Sequence, residues 1–216
     1  MALYVDSADR SAVEPLLSTG LFAGITTNPT LLRRAGLSDA DLPAVYQWAT
    51  AAGAAKVFMQ TLGTTPEEIL AGANRIRDLG PRAVVKIPAT RAGFTAARLL
   101  TARQVPVLIT AVYHAAQALL ADAAGARYIA PYVGRMTDQG RNGVEQTIAM
   151  QRSLAGKGTR VLVASLRGAD DVAALAAAGV PDFALGAPLC EALLADELTV
   201  AAAAEFEAIC TDGAAG

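Results

Sequence analysis

Eight times along the chain, a short apolar run rich in β-branched residues gives way to a segment with helical spacing. That alternation limits the fold more than any single motif. The runs are ALYVDS (2–7), FAGITT (22–27), KVFMQT (56–61), RAVVKI (82–87), VPVLIT (105–110), RYIAPYV (127–133), RVLVAS (160–165) and DFALGA (182–187). Most are continuously apolar, the pattern of strands covered on both faces. Between them, PEEILAGANRIRDLG places Ile69, Ala73 and Ile76 on one face and stops at Gly80. HAAQALLADAAG stops at Gly125 and DDVAALAAAG at Gly179, and glycine just past the last periodic residue is a common helix stop. Strand starts fall roughly 20 to 35 residues apart, the length of one strand–helix unit. Eight such units predict a parallel (β/α)8 TIM barrel near the lower size limit of that fold. An open doubly wound sheet is the alternative. It needs a glycine-rich phosphate fingerprint after the first strand, and DSADRSA has none. TVAAAAEFEAIC (199–210) reads as one extra C-terminal helix, and residues 1–216 as one domain.

Composition enters as a filter on function. The 216 residues are 53% hydrophobic and 18% charged, enough for one substantial core. A net charge of −2 with scattered arginines points to no nucleic-acid or acidic-membrane partner. Met1 runs straight into ALYVDSADR with no basic-then-apolar leader, and no apolar run reaches about 18 residues without charge or turn residues, so neither a signal peptide nor a membrane span is expected. Cys190 and Cys210 are the only cysteines. Two thiols in a chain of this size suggest a reducing compartment, by default the cytoplasm.

In a parallel barrel the chemistry is built at the C-terminal ends of the strands. Those ends carry Asp6; Thr26, Thr27 and Asn28; Gln60; Lys86; Thr110; Tyr132 and Arg135; and Ser165 and Arg167. Any one of them has a structural explanation. Asp6 could cap a helix beginning near Ala8, and TTNPT could be only a turn. Together they outline a rim.

Lys86 is the least expected residue. Of eighteen basic residues only Lys56, Lys86 and Lys157 are lysines, so where any cation serves, this chain writes arginine. A lysine inside AVVKIP suggests a demand for an amine that a permanently protonated guanidinium cannot meet. Burial disfavours the ammonium, and a free amine attacks a carbonyl to give a Schiff base. A lysine paired with Asp6 inside the barrel and a plain phosphate-binding lysine are the alternatives. Other chemistries fare worse. A histidine-rich metal site is implausible with His114 alone, near the start of a helical segment. No Ser-His-Asp set can be assembled, and a Glu base with a His electrophile is missing from the strand ends.

LYVDSAD, GITTNPTLL, VVKIPAT, ITAVYHAAQALLA, GARYIAPYVGR and LVASLR resemble the small transaldolase and fructose-6-phosphate aldolase family, in family order from Leu3 to about Phe206. The resemblance implies a (β/α)8 barrel, a Schiff-base lysine on the fourth strand at Lys86, and no metal or organic cofactor. It implies that Asp6 assists proton movement, that Thr26 and Asn28 line a dihydroxyacetone subsite, and that Arg135, Ser165 and Arg167 bind an acceptor phosphate. Small ketose and aldehyde substrates follow, as does a cyclic homo-oligomer, pentamer or decamer, with helix 199–210 packed on a neighbour. The other possibility for that helix is closure of its own barrel.

Within the family, Gln60, Leu108 and Tyr132 resemble the fructose-6-phosphate aldolases, where transaldolases are expected to carry Glu, Asn and Phe. Tyr132, through a water held by Gln60 and Thr110, would protonate the enamine. Arg167 resembles the transaldolase phosphate pair instead. The expectation is a class I aldolase; the alternatives are a transaldolase and a catalytically silent sugar-phosphate-binding barrel.

Overall fold

Continuously apolar strands need cover on both faces, and a closed parallel barrel ringed by helices supplies it. The computed structural model describes residues 1–213 and contains that barrel: β1 (Ala2–Asp6), β2 (Phe22–Thr26), β3 (Lys56–Gln60), β4 (Ala83–Pro88), β5 (Val107–Val112), β6 (Tyr128–Pro131), β7 (Arg160–Val163) and β8 (Asp182–Leu185), paired in sequence order and closed by β1 on β8. The strands and the extra helix expected from the sequence are all present.

Helices cover the barrel: α1 (Arg10–Ser18), α2 (Pro29–Arg34), α3 (Leu42–Ala51), α4 (Pro66–Arg77), α5 (Arg91–Thr101), α6 (Gln117–Ala123), α7 (Val133–Asp138), α8 (Gly143–Ser153), α9 (Ala169–Ala177) and α10 (Ala187–Leu194). Two connections hold two helices each, after β2 and after β6. Starts are written locally: Thr65 and Glu68 form a capping box on α4, and Asp9 accepts from Ser11 N to cap α1. Asp9, not Asp6, is therefore the cap. His114 lies ahead of α6, where its Nδ1 accepts from the Ala116 amide at 3.1 Å.

Strand alternation divides the apolar residues into two layers. Val57, Met59, Val85, Ile87 and Ile109 face outward against Ile69, Ala73, Ile76 and Leu100 of the helices. Tyr4, Phe58, Val84, Leu108, Tyr128, Leu162 and Ala184 face inward. Each large side chain so buried contributes about 1.5–3 kcal/mol. Phe58 meets Tyr4 and Tyr128 edge to face, centroids 5.1 and 5.3 Å apart, plugging the barrel middle. Two residues further along, the inward positions of β1, β3, β4 and β5 are polar, whereas those of β6, β7 and β8 are Ala130, Ala164 and Gly186. That step of two carries Asp6, Gln60, Lys86 and Thr110 to the C-terminal mouth.

After β8, α11 (Glu197–Gly213) leaves Leu198, Val200, Phe206 and Ile209 exposed. It does not close its own barrel with them. Among the described residues no helix is long and apolar enough to cross a membrane.

Candidate active site

A pocket of about 280 Å³ opens at the C-terminal mouth, lined by Asp6, Asn28, Arg34, Lys86, Tyr132, Arg135, Asp138, Ser165 and Arg167 among others. Strand β4 delivers Lys86 on the same face as Val84, with only 4% of its surface exposed. Register places Gln60 of β3 on one side of it and Leu108 of β5 on the other. Burial pushes the Lys86 ammonium below its ordinary value of 10.5, against the pull of the Asp6 carboxylate. The effect is more free amine near neutrality.

Asp6 ends β1 and accepts a short hydrogen bond from the Thr26 hydroxyl, its register partner on β2. Burial raises its pKa above 3.8, opposed by Lys86, Thr26, Arg135 and Arg34. Lys86 and Asp6 thus each lean toward neutrality, and a proton can pass between a carboxyl and a reacting hydroxyl at low cost.

Tyr132 lines the same pocket. It follows β6 and bridges to Ala164. Its hydroxyl shares a 2.9 Å hydrogen bond with fully buried Thr110. Burial raises its pKa above 10.0 despite that bond, so the phenol stays protonated. The Arg135 guanidinium lies 4.9 Å from the centre of its ring, and Tyr113 meets it edge to face. The backbone is bent to allow this. Ala111 (φ 55°) sits in a β5–β6 register shift and Ser165 (φ 61°) follows Ala164. Such left-handed non-glycine residues cost on the order of 1–3 kcal/mol and persist where the surroundings fix them.

The basic rim is assembled by close backbone approach. Gly134 N donates to Ser165 O at 2.7 Å. A Cβ at Gly134 would fall 2.5 Å from both that oxygen and Arg167 Nε. Asp138 forms an ion pair with Arg167. Arg135, Ser165 and Arg167 therefore converge on one side of the pocket, as a group able to hold a phosphate.

The remaining candidates occupy different places. Asn28 lines the pocket while its Oδ1 caps α2, accepting from Thr30 N (2.9 Å) and Leu31 N (3.0 Å). Thr27 ties β2 to β3 through Phe58 O. Leu108 is fully buried in the inner core beside Lys86, and it is not on the pocket wall. Gln60 borders a separate, mainly apolar cavity of about 380 Å³ beside Leu42, Leu62, Ile76 and Leu79. Arg34 and Asp138 line the pocket and were missed from the sequence. Both sit near helix C-terminal ends, where the strand-end rule gives no signal. Among the described residues no three His, Cys, Asp or Glu side chains could hold a metal ion together.

Comparison with known proteins gives the fold and the family. Mandelate oxidase structures superpose with TM-scores of 0.61 and 0.64 at 18% identity, over 90% of this chain and 68% and 66% of theirs, a likeness of fold alone. A probable transaldolase of Lactiplantibacillus plantarum is 32% identical over 208 residues, 95% of this chain and 94% of its own. One of Phenylobacterium zucineum is 32% identical over 202 residues, covering 92% and 91%. The profile of the Transaldolase/Fructose-6-phosphate aldolase family matches residues 3–214. With its closed barrel and its lysine in VVKIPAT at the C-terminal mouth, the chain belongs to the transaldolase/fructose-6-phosphate aldolase family.

Proposed function

We propose that the chain is a class I aldolase that reversibly cleaves fructose 6-phosphate, or a related ketose, to dihydroxyacetone (or hydroxyacetone) and an aldehyde such as glyceraldehyde 3-phosphate. Lys86 Nζ attacks the C2 carbonyl, and loss of water gives the imine. Asp6 takes the proton of the C4 hydroxyl as the C3–C4 bond breaks, releasing the aldehyde and leaving an enamine on Lys86. Tyr132, directly or through one water, returns a proton to C3, and hydrolysis of the imine frees the ketone. Thr26 and Asn28 hold the donor, while Arg135, Ser165 and Arg167 hold the phosphate. Leu108 flanks the imine nitrogen, and Gln60 and Thr110 orient the proton donor.

The observation that carries this reading is the buried, protonated Tyr132 hydroxyl on Thr110, in the pocket that holds Lys86. A proton source there favours release of the three-carbon unit over its retention. The second reading is a transaldolase, favoured by the relatives named probable transaldolase and by Arg167. Fructose 6-phosphate supplied without an acceptor separates the two: steady release of dihydroxyacetone supports the aldolase, and release only after an aldose phosphate is added overturns it. Borohydride reduction in the presence of dihydroxyacetone should add the reduced adduct to the Lys86 peptide. Turnover with no adduct there would remove the mechanism.

We further infer a homo-oligomer in which the exposed apolar residues of α11 pack on another copy. Light scattering of a chain ending at Asp196 should give a smaller mass than the full chain. An unchanged mass removes α11 from the contact.

A further inference from the structure

The opposite, N-terminal mouth of the barrel also opens into a cavity, of about 500 Å³. Lys56, Arg82 and Arg127 line it, and no carboxylate among the described residues does. Three uncompensated cations around one cavity run against the sign of a chain whose net charge is −2. Lys56 is one of only three lysines. Lys86 serves the upper pocket and Lys157 pairs with Asp122, which leaves Lys56 without an assigned role. It shares the inward face of β3 with Phe58. Neither Lys56, Arg82 nor Arg127 forms an ion pair among the described residues.

The cavity is partly rigid. Arg82 Nη1 donates to the carbonyls of Thr50 (3.2 Å) and Ala54 (3.1 Å), which fixes the guanidinium at the rim. Arg127 is held through its backbone, its N–H on Val107 O and its carbonyl accepting from Arg160 N. Val84, Val105, Pro106 and Tyr128 supply apolar wall between the cations. Three cations, one of them fixed by hydrogen bonds, around a partly apolar wall in a space of this size describe a small-ligand site. Ammonium and guanidinium groups together favour phosphate oxygens.

We propose that the N-terminal mouth is a second ligand site, for a small phosphate-bearing metabolite, built by Lys56, Arg82 and Arg127. It lies across the barrel from the Lys86 pocket and does not depend on the reaction carried out there.

Titration of the full chain with inorganic phosphate, followed by backbone amide NMR, tests it residue by residue. In the wild type the amides of Gln104, Gly125 and Arg127 should shift in a saturable way, and more weakly as ionic strength rises. In Lys56→Gln/Arg127→Gln the same shifts should require about tenfold more phosphate, with dihydroxyacetone trapping at Lys86 unchanged. The exposed Arg152→Gln, which lowers net charge elsewhere, should leave them as in the wild type. The single variants Lys56→Gln and Arg127→Gln serve if the double variant folds poorly. Unresponsive amides at the lower mouth of the wild type would overturn the proposal. So would equal responses in the wild type and in folded Lys56→Gln or Arg127→Gln.

Discussion

Each mouth of the barrel holds an inward-pointing cation and carboxylate, and the two couples are built to opposite ends. At the lower mouth, Arg160 grips Asp182 through two parallel hydrogen bonds, Nε to Oδ2 and Nη2 to Oδ1, both 2.7 Å. Asp182 is 1% exposed and the Arg160 side chain 38%, so the buried carboxylate is matched by a guanidinium that reaches the rim. At the upper mouth Lys86 and Asp6 form no ion pair among the described residues. Burial leans both toward neutrality instead. Arginine serves where the charge must be permanent. Lysine appears where the proton must be able to leave.

The comparison breaks most directly at Lys86. Lys86→Arg keeps the cation and removes the amine, so aldol cleavage should fall roughly 10⁴-fold or more and borohydride trapping should vanish. Denaturation midpoints should fall as well, because a larger and permanently charged group replaces a buried amine that burial leans toward neutrality. Retained trapping would mean that another group forms the imine.

Tyr132→Phe removes one hydroxyl from the same mouth and leaves Thr110 in place. Acceptor-free release of dihydroxyacetone should drop about 10²-fold, while transfer to an aldose phosphate persists. An unchanged release rate would take Tyr132 out of proton donation and weaken the aldolase reading.

At the lower mouth the signature should invert. Asp182→Asn leaves a guanidinium facing an amide, and stability should fall by about 2–3 kcal/mol, as for a hydrogen bond to a charged group. Urea denaturation reads the loss, and activity per folded molecule should match the wild type. A variant that folds as well but turns over poorly would show that the two mouths are coupled.

The contrast also separates what could be read from the sequence and what could not. The eight strands were legible because continuous apolar runs bounded by glycine stops carry their own signal. Lys86 was legible because lysine is rare in this chain. Within an apolar strand, however, inward and outward positions look alike, so Leu108 could be placed beside the reactive strand but not known to lie in the core. Thr110 could be named, but its contact with Tyr132 depends on a register shift at Ala111 that no residue type announces. Asn28 reads equally as a cap and as a pocket residue, and in the structure it is both. Arg34 and Asp138 reach the pocket from helices, so a search confined to strand ends passes over them. The Arg160–Asp182 pair joins residues 22 apart on neighbouring strands, and only the register brings them together.

The finest test concerns how loosely the upper couple is held. Asp6 supports the charged form of Lys86, and burial opposes it. In Asp6→Asn that support is gone, so the Lys86 pKa should fall further below 10.5. Imine formation needs the free amine, so the rate of dihydroxyacetone trapping rises with pH through that pKa and then levels off. Its midpoint should lie at lower pH in Asp6→Asn than in the wild type. The difference should fade in acid, where Asp6, its own pKa raised by burial, is protonated and exerts no pull. A midpoint that stays put would mean that Asp6 is already neutral where Lys86 titrates. One that moves up would mean that the carboxylate is not supporting the ammonium at all. Arg160→Gln at the other mouth, in contact with neither group, should leave the trapping profile where it is.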